Sequence, residues 1–83
     1  MTPKKKQSAD QIVQRNLIEL IPYEFNNKKH DDKQVDMICN SILSFGFQNP
    51  ILIDEKNVVI AGHGRLAAAK KLKLETVPCI VIT

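Results

Sequence analysis

The residues whose types and spacing could do chemistry are Gly62-His63-Gly64-Arg65. They follow the β-branched run Val58-Val59-Ile60 and open a strongly helix-forming stretch that reaches Leu72. The first N–H groups of a helix have no acceptor inside it and lie at the positive end of its dipole. An anion placed there meets several donors and a favourable field. Glycine lets the anion approach the backbone, because no Cβ stands in the way. Arg65 would add a planar, two-pronged donor that matches phosphate oxygens. A cation in the first helical turn opposes the dipole unless an anion is near, and that local conflict points to function. The bland alternative is a glycine-containing strand-to-helix connection with Arg65 in solvent.

Two better-known phosphate loops do not fit. The Walker pattern needs a Gly-Lys-Ser/Thr ending, and the dinucleotide fingerprint needs a third glycine. His63 could touch a phosphate, act as a general acid or base, or cap the helix. It is the one weak catalytic candidate, and no partner carboxylate is apparent in the sequence.

The elements that would position this turn can be read along the chain. Residues 1–10 are polar and basic, with Lys4-Lys5-Lys6, and read as a flexible tail. Gln11 to Arg15 is a weak strand. Leu17 to Ile21 reads as a short strand or a single helical turn, because Pro22 holds the residue before it extended. Tyr23 to Asp32 is a polar loop, and Asp31 or Asp32 can cap the helix that follows. Val35, Ile38, Ile42 and Phe45 recur at helical spacing and form one apolar face, with Cys39 beside it. Gly46 supplies the stop, in the left-handed conformation. Ile51-Leu52-Ile53 reads as a strand covered on both faces. With Val58 to Ile60 it makes a hairpin. In the second helix, Leu66, Ala69 and Leu72 should face the core, while Ala67 and Ala68 let the helix approach the sheet. Lys70, Lys71 and Lys73 suit the negative helix end. Val77 to Ile82 closes the fold, with Pro78 tolerated near the strand start. The pattern predicts a small α+β domain with a mixed sheet and two main helices.

Bulk properties narrow the classes. The chain has 83 residues, 43% of them hydrophobic, and a net charge of +3. One modest core and an affinity for anions fit these values. Cys39 and Cys79 are too few for a disulfide framework and lack metal-site spacing. They read as small core residues in a reducing compartment. No signal peptide or membrane span is visible, so a cytoplasmic location with no membrane partner is expected.

The ordered motifs resemble the ParB/sulfiredoxin superfamily. The matching pieces are Leu20-x-Pro22 with Asn26; Ser41-Ile42 through Phe45-Gly46-Phe47-Gln48-Asn49-Pro50-Ile51; Val59-Ile60-Ala61-Gly62-His63-Gly64-Arg65; and Ala68-Ala69-Lys70-Lys71-Leu72 with Val77-Pro78. The similarity runs from about Leu17 to Ile82. Within the superfamily the chain most resembles the ParB-like, nuclease-type N-terminal domain of phage and plasmid DNA methyltransferases. The resemblance implies a ParB/sulfiredoxin fold over residues 11–83. It implies a nucleotide- or DNA-phosphate site built from Gly62, His63, Gly64 and Arg65, bordered by Gln48, Asn49, Asn26 and Lys28. It implies a nucleoside di- or triphosphate with Mg²⁺ as ligand, no resident metal, a homodimer or a downstream methyltransferase domain as partner, and a role in DNA modification or partitioning. Thr83 directly follows a core strand, as in an excised domain or a truncated product.

Departures from the family pattern sharpen this. Partitioning ParB proteins use a Gly-Glu-Arg-Arg turn to bind CTP, whereas His63 and Gly64 replace the Glu and the first Arg here. Sulfiredoxins place a catalytic Cys where His63 stands. Free-serine kinases carry a second His where Gly64 stands. CTP-switch and sulfinic-acid reductase chemistry are therefore not expected, and kinase activity stays open without a residue at the turn that supports it. Two other functions compete with a binding module. One is an enzyme, a ParB-like nuclease or a nucleotide-dependent kinase or hydrolase, with Asp31, Asp32, Asp54 or Glu55 as possible bases. The other is a structural or dimerisation module whose turn binds nothing.

Overall fold

The structure is a computed structural model, and it describes residues 12–23 and 31–82. The basic segment 1–10 lies outside the described residues, as do Asn26 and Lys28.

Strand β1 (Ile12–Asn16) leads into one 3-10 turn, Leu17–Glu19. Ile21, held extended before Pro22, then forms a parallel bridge with Val58. The helical-turn reading of Leu17 to Ile21 is thus realised, and the extended end makes a single bridge rather than a strand.

Helix α1 (Asp32–Phe45) is capped by Asp31, whose carboxylate accepts from the Gln34 N–H at 2.8 Å. That satisfies one of the orphan donors at a helix start. The helix ends at Gly46, with φ 83° and ψ 179°. This differs from the expected left-handed cap. It is an extended, positive-φ conformation that glycine alone adopts readily.

Strands β2 (Ile51–Ile53) and β3 (Val59–Ala61) form the expected antiparallel hairpin, with a register shift between Leu52 and Ile53. Its turn is held by Asp54, whose carboxylate accepts from the N–H groups of Lys56 (2.8 Å) and Val58 (2.9 Å). Asn57 takes the positive φ of 69°, which Asn tolerates better than most residues.

Helix α2 (His63–Leu72) begins at the residue after Gly62. Lys73 follows it in the left-handed conformation, and Leu74 N–H returns to Ala69 C=O at 3.1 Å. Strand β4 (Thr76–Val81) completes a mixed sheet of order β1-β4-β2-β3. β4 runs antiparallel to β1 and parallel to β2. The last strand in sequence therefore occupies the interior of the sheet.

Three layers result: sheet, α2, α1. Leu66 and Ala69 of α2 pack with Ile51, Ile53, Val59, Val77 and Cys79 against the sheet. A separate cluster joins the two helices through Val35, Cys39 and Ala68, flanked by Ile38, Ile42, Ala67 and Leu72. Four expectations change here. Ala67 and Ala68 admit α1, not the sheet, because α2 is buried on two sides. Leu72 packs toward α1 for the same reason. Phe45 is 72% exposed, because the buried seam of α1 runs through Val35 and Cys39. Leu52 is only partly buried between two fully buried isoleucines, because among the described residues no layer covers that face of β2. Both cysteines are buried and free, as expected.

Candidate functional site

Gly62 is the hinge of the site. Its φ of 103° and ψ of 26° turn the chain sharply out of β3 into α2. A Cβ at Gly62 would lie 3.1 Å from Arg65 Nη2 and 3.4 Å from the Ile51 Cα. Glycine is thus required twice, by the backbone conformation and by the space Arg65 occupies. The first intrahelical bond runs from Leu66 N–H to Gly62 C=O at 2.8 Å. His63, Gly64 and Arg65 therefore form the first turn, whose N–H groups have no acceptor within the helix.

Arg65 folds back over this turn. Its Nη2 reaches the Pro50 carbonyl at 3.4 Å, a long hydrogen bond. Its Nε is buried with no hydrogen-bond partner among the described residues. Most buried polar atoms are partnered, so a guanidinium held this way retains donor capacity for an anion.

The turn forms one side of a cleft of about 550 Å³. Gln48 and Asn49 line it too, so the structure brings together Gly62, His63, Gly64, Arg65, Gln48 and Asn49. The Gln48 side-chain amide donates to the Phe45 carbonyl, which ties this segment to the end of α1.

The wall facing the turn was not expected from sequence. Met37, Ile38, Ser41 and Ile42 of α1, with Phe47, line the cleft. The helical stripe containing Ile38 and Ile42 was legible, but only as core. The available signal was that the stripe runs straight into Gly46-Phe47-Gln48-Asn49. The cleft is thus polar on one side and mainly apolar on the other.

The acidic candidates for a general base do not line the cleft. Asp31 caps α1, and Asp54 braces the hairpin turn. Among the described residues, no three His, Cys, Asp or Glu side chains gather as a metal site. Also among them, no helix is long and apolar enough to cross a membrane.

Comparison with known proteins agrees with this fold. Residues 1–83 match the ParB N-terminal domain, and the chain belongs to that family. It is 51% identical over 72 residues to the ParB-like nuclease domain-containing protein YnaK of Escherichia coli, covering 87% of this chain and 83% of that one. Sulfiredoxin from Arabidopsis thaliana superposes with a TM-score of 0.79 at 26% identity, over 88% of this chain and 85% of that one. The chromosome-partitioning protein ParB of Caulobacter crescentus, complexed with CTP-gamma-S, has a TM-score of 0.76 at 23% identity. That match covers 86% of this chain but only 43% of the ParB chain.

Proposed function

We propose that this ParB-like domain is a binding module for the phosphates of a nucleotide, with nucleic-acid phosphate as the alternative source of the same group. The observation that carries the reading is Arg65. Its guanidinium lies against a glycine turn at a helix start, with a buried, unsatisfied Nε, on the rim of an open cleft. A phosphate there would take the Arg65 fork and the first N–H groups of α2 together. Gln48 and Asn49, which line the same cleft, would supply further donors. The Caulobacter neighbour bound to CTP-gamma-S supports the nucleotide class. Partitioning or modification of DNA is the setting in which we expect the module to serve. A Mg²⁺ ion that accompanied a di- or triphosphate would be held mainly by phosphate oxygens.

An NMR titration with CTP, ATP, ADP and a short DNA duplex, each with and without Mg²⁺, tests this. Shifts should concentrate at residues 62–65 and at Gln48 and Asn49. Arg65→Ala should weaken binding roughly tenfold or more, since hydrogen bonds to charged groups contribute about 1.5–3 kcal/mol. A response to the duplex alone would assign the site to nucleic acid. No response to any of these ligands sinks the reading. Phosphate release or strand cleavage that depended on His63 would favour the enzyme instead.

A further inference from the structure

The apolar wall of the cleft is one continuous strip. Met37, Ile38, Ser41 and Ile42 line it from two successive turns of α1, and Phe47 joins them. Residues three and four apart share a helix face, so the α1 side chains lie together. Phe47 packs against the sheet-side core, which anchors its ring. Met37 is 70% exposed, and its unbranched thioether can adapt to a ring laid on the strip. Ser41 is the single polar side chain that α1 brings to the cleft.

Charge is scarce in the same space. Among the described residues that line the cleft, Arg65 alone carries a fixed charge, and none is acidic. Lys70, Lys71 and Lys73 stand at the opposite end of α2, and Lys71 is engaged with Asp36 at 2.6 Å. One guanidinium and one helix start can meet one phosphoryl group. A second or third phosphate would add negative charge that no described cation in the cleft answers. Magnesium on a polyphosphate gains little from this protein, because its usual protein ligands are carboxylates. Asp31 and Asp54 are held at their own turns. A DNA duplex fits no better, because its bases are stacked away from an apolar wall and its affinity comes from many cations.

Resting on the phosphate reading above, we propose that the cleft takes an organic monophosphate. Its one phosphoryl group sits at the Gly62–Arg65 turn. Its uncharged body, a nucleoside or another group with an apolar face, lies on the strip of Met37, Ile38, Ile42 and Phe47. The cleft volume of about 550 Å³ suits a ligand of that size.

Calorimetric titration tests this with inorganic phosphate, ribose 5-phosphate, and the mono-, di- and triphosphates of adenosine and cytidine, each with and without Mg²⁺. The better monophosphate should bind within about threefold of its own triphosphate, and at least about tenfold more tightly than ribose 5-phosphate. Met37→Gln, at an exposed position, should shrink the margin over ribose 5-phosphate. Leu43→Gln, at an exposed site of α1 outside the cleft, should keep it. A triphosphate favoured by more than about threefold, with or without Mg²⁺, overturns the proposal and leaves the phosphate reading standing. A margin over ribose 5-phosphate below about tenfold does the same. A margin unchanged by Met37→Gln overturns the placement on α1. Silence from every ligand, inorganic phosphate included, sinks the phosphate reading itself and this inference with it.

Discussion

Arg65 Nη2 occupies the space into which a side chain on Gly62 would project, 3.1 Å from a Cβ built there. The two residues are therefore one unit. The glycine makes the turn, and its missing side chain makes room for the guanidinium.

Gly62→Ala should damage both parts. A non-glycine residue at φ 103° is strained, and the left-handed region costs an L-residue about 1–2 kcal/mol. The new methyl group would also push Arg65 and crowd the Ile51 backbone. Thermal unfolding should fall by roughly 4–8 °C for each kcal/mol lost. Phosphate binding should drop further than stability alone explains, because Arg65 is displaced. A variant of unchanged stability and unchanged Arg65 resonances would contradict this account.

Ala68 sets the spacing between the helices. It is fully buried against Val35 and Cys39. Ala68→Leu would overpack that seam, at a cost of about 1–3 kcal/mol. Leu43→Ala, at a site 71% exposed on the same helix pair, should change stability by less than about 0.5 kcal/mol. Urea denaturation of both variants separates a tight seam from a loose one. Equal losses would mean that α1 is not docked through Ala68.

Lys73 pays for its position with backbone strain, at φ 59° and ψ 43°. Glycine is the usual residue at this cap. Lys73→Gly should therefore stabilise the domain by about 1 kcal/mol, and calorimetry should show a higher midpoint. A lower midpoint would show that the lysine side chain contributes more than the strain removes.

Cys79 offers a test by pH. Burial raises its thiol pKa, and Arg15 opposes that shift only in part. The folded thiol keeps its proton to higher pH than the unfolded one. Its contribution to stability is complete below the unfolded thiol pKa of about 8.5 and fades as pH rises through the folded value. The loss of stability between neutral pH and about pH 10 should be smaller in Cys79→Ala than in the wild type. Ellman's reagent should meanwhile find Cys39 and Cys79 unreactive until the protein unfolds. Fast native-state labelling of either would refute their burial.

Much of this was legible in the residues. Asp31, Gly46 and the Val35–Ile42 period defined α1 almost to the residue, because caps and helical spacing are local signals. The Gly62–Arg65 turn was legible for the same reason. What escaped was non-local. Periodicity marked α2 as buried but could not show that Ala68 meets a helix while Ala69 meets the sheet. It placed Phe45 on the apolar stripe, yet the seam follows Cys39. Ile38 and Ile42 read as core, and their second role as the cleft wall depends on how far α1 stands from Arg65. Strand order was equally hidden, since no local pattern indicates that β4 enters between β1 and β2.

That strand order governs how the domain can be made. Chains emerge from the ribosome N-terminus first. The β2–β3 hairpin can close early, but among the described residues β1 has no neighbour in the sheet except β4. A nascent chain lacking residues 76–81 holds two sheet fragments with nothing between them. Closure of the sheet must wait for β4, and a message cut short before it leaves a chain exposed to proteolysis.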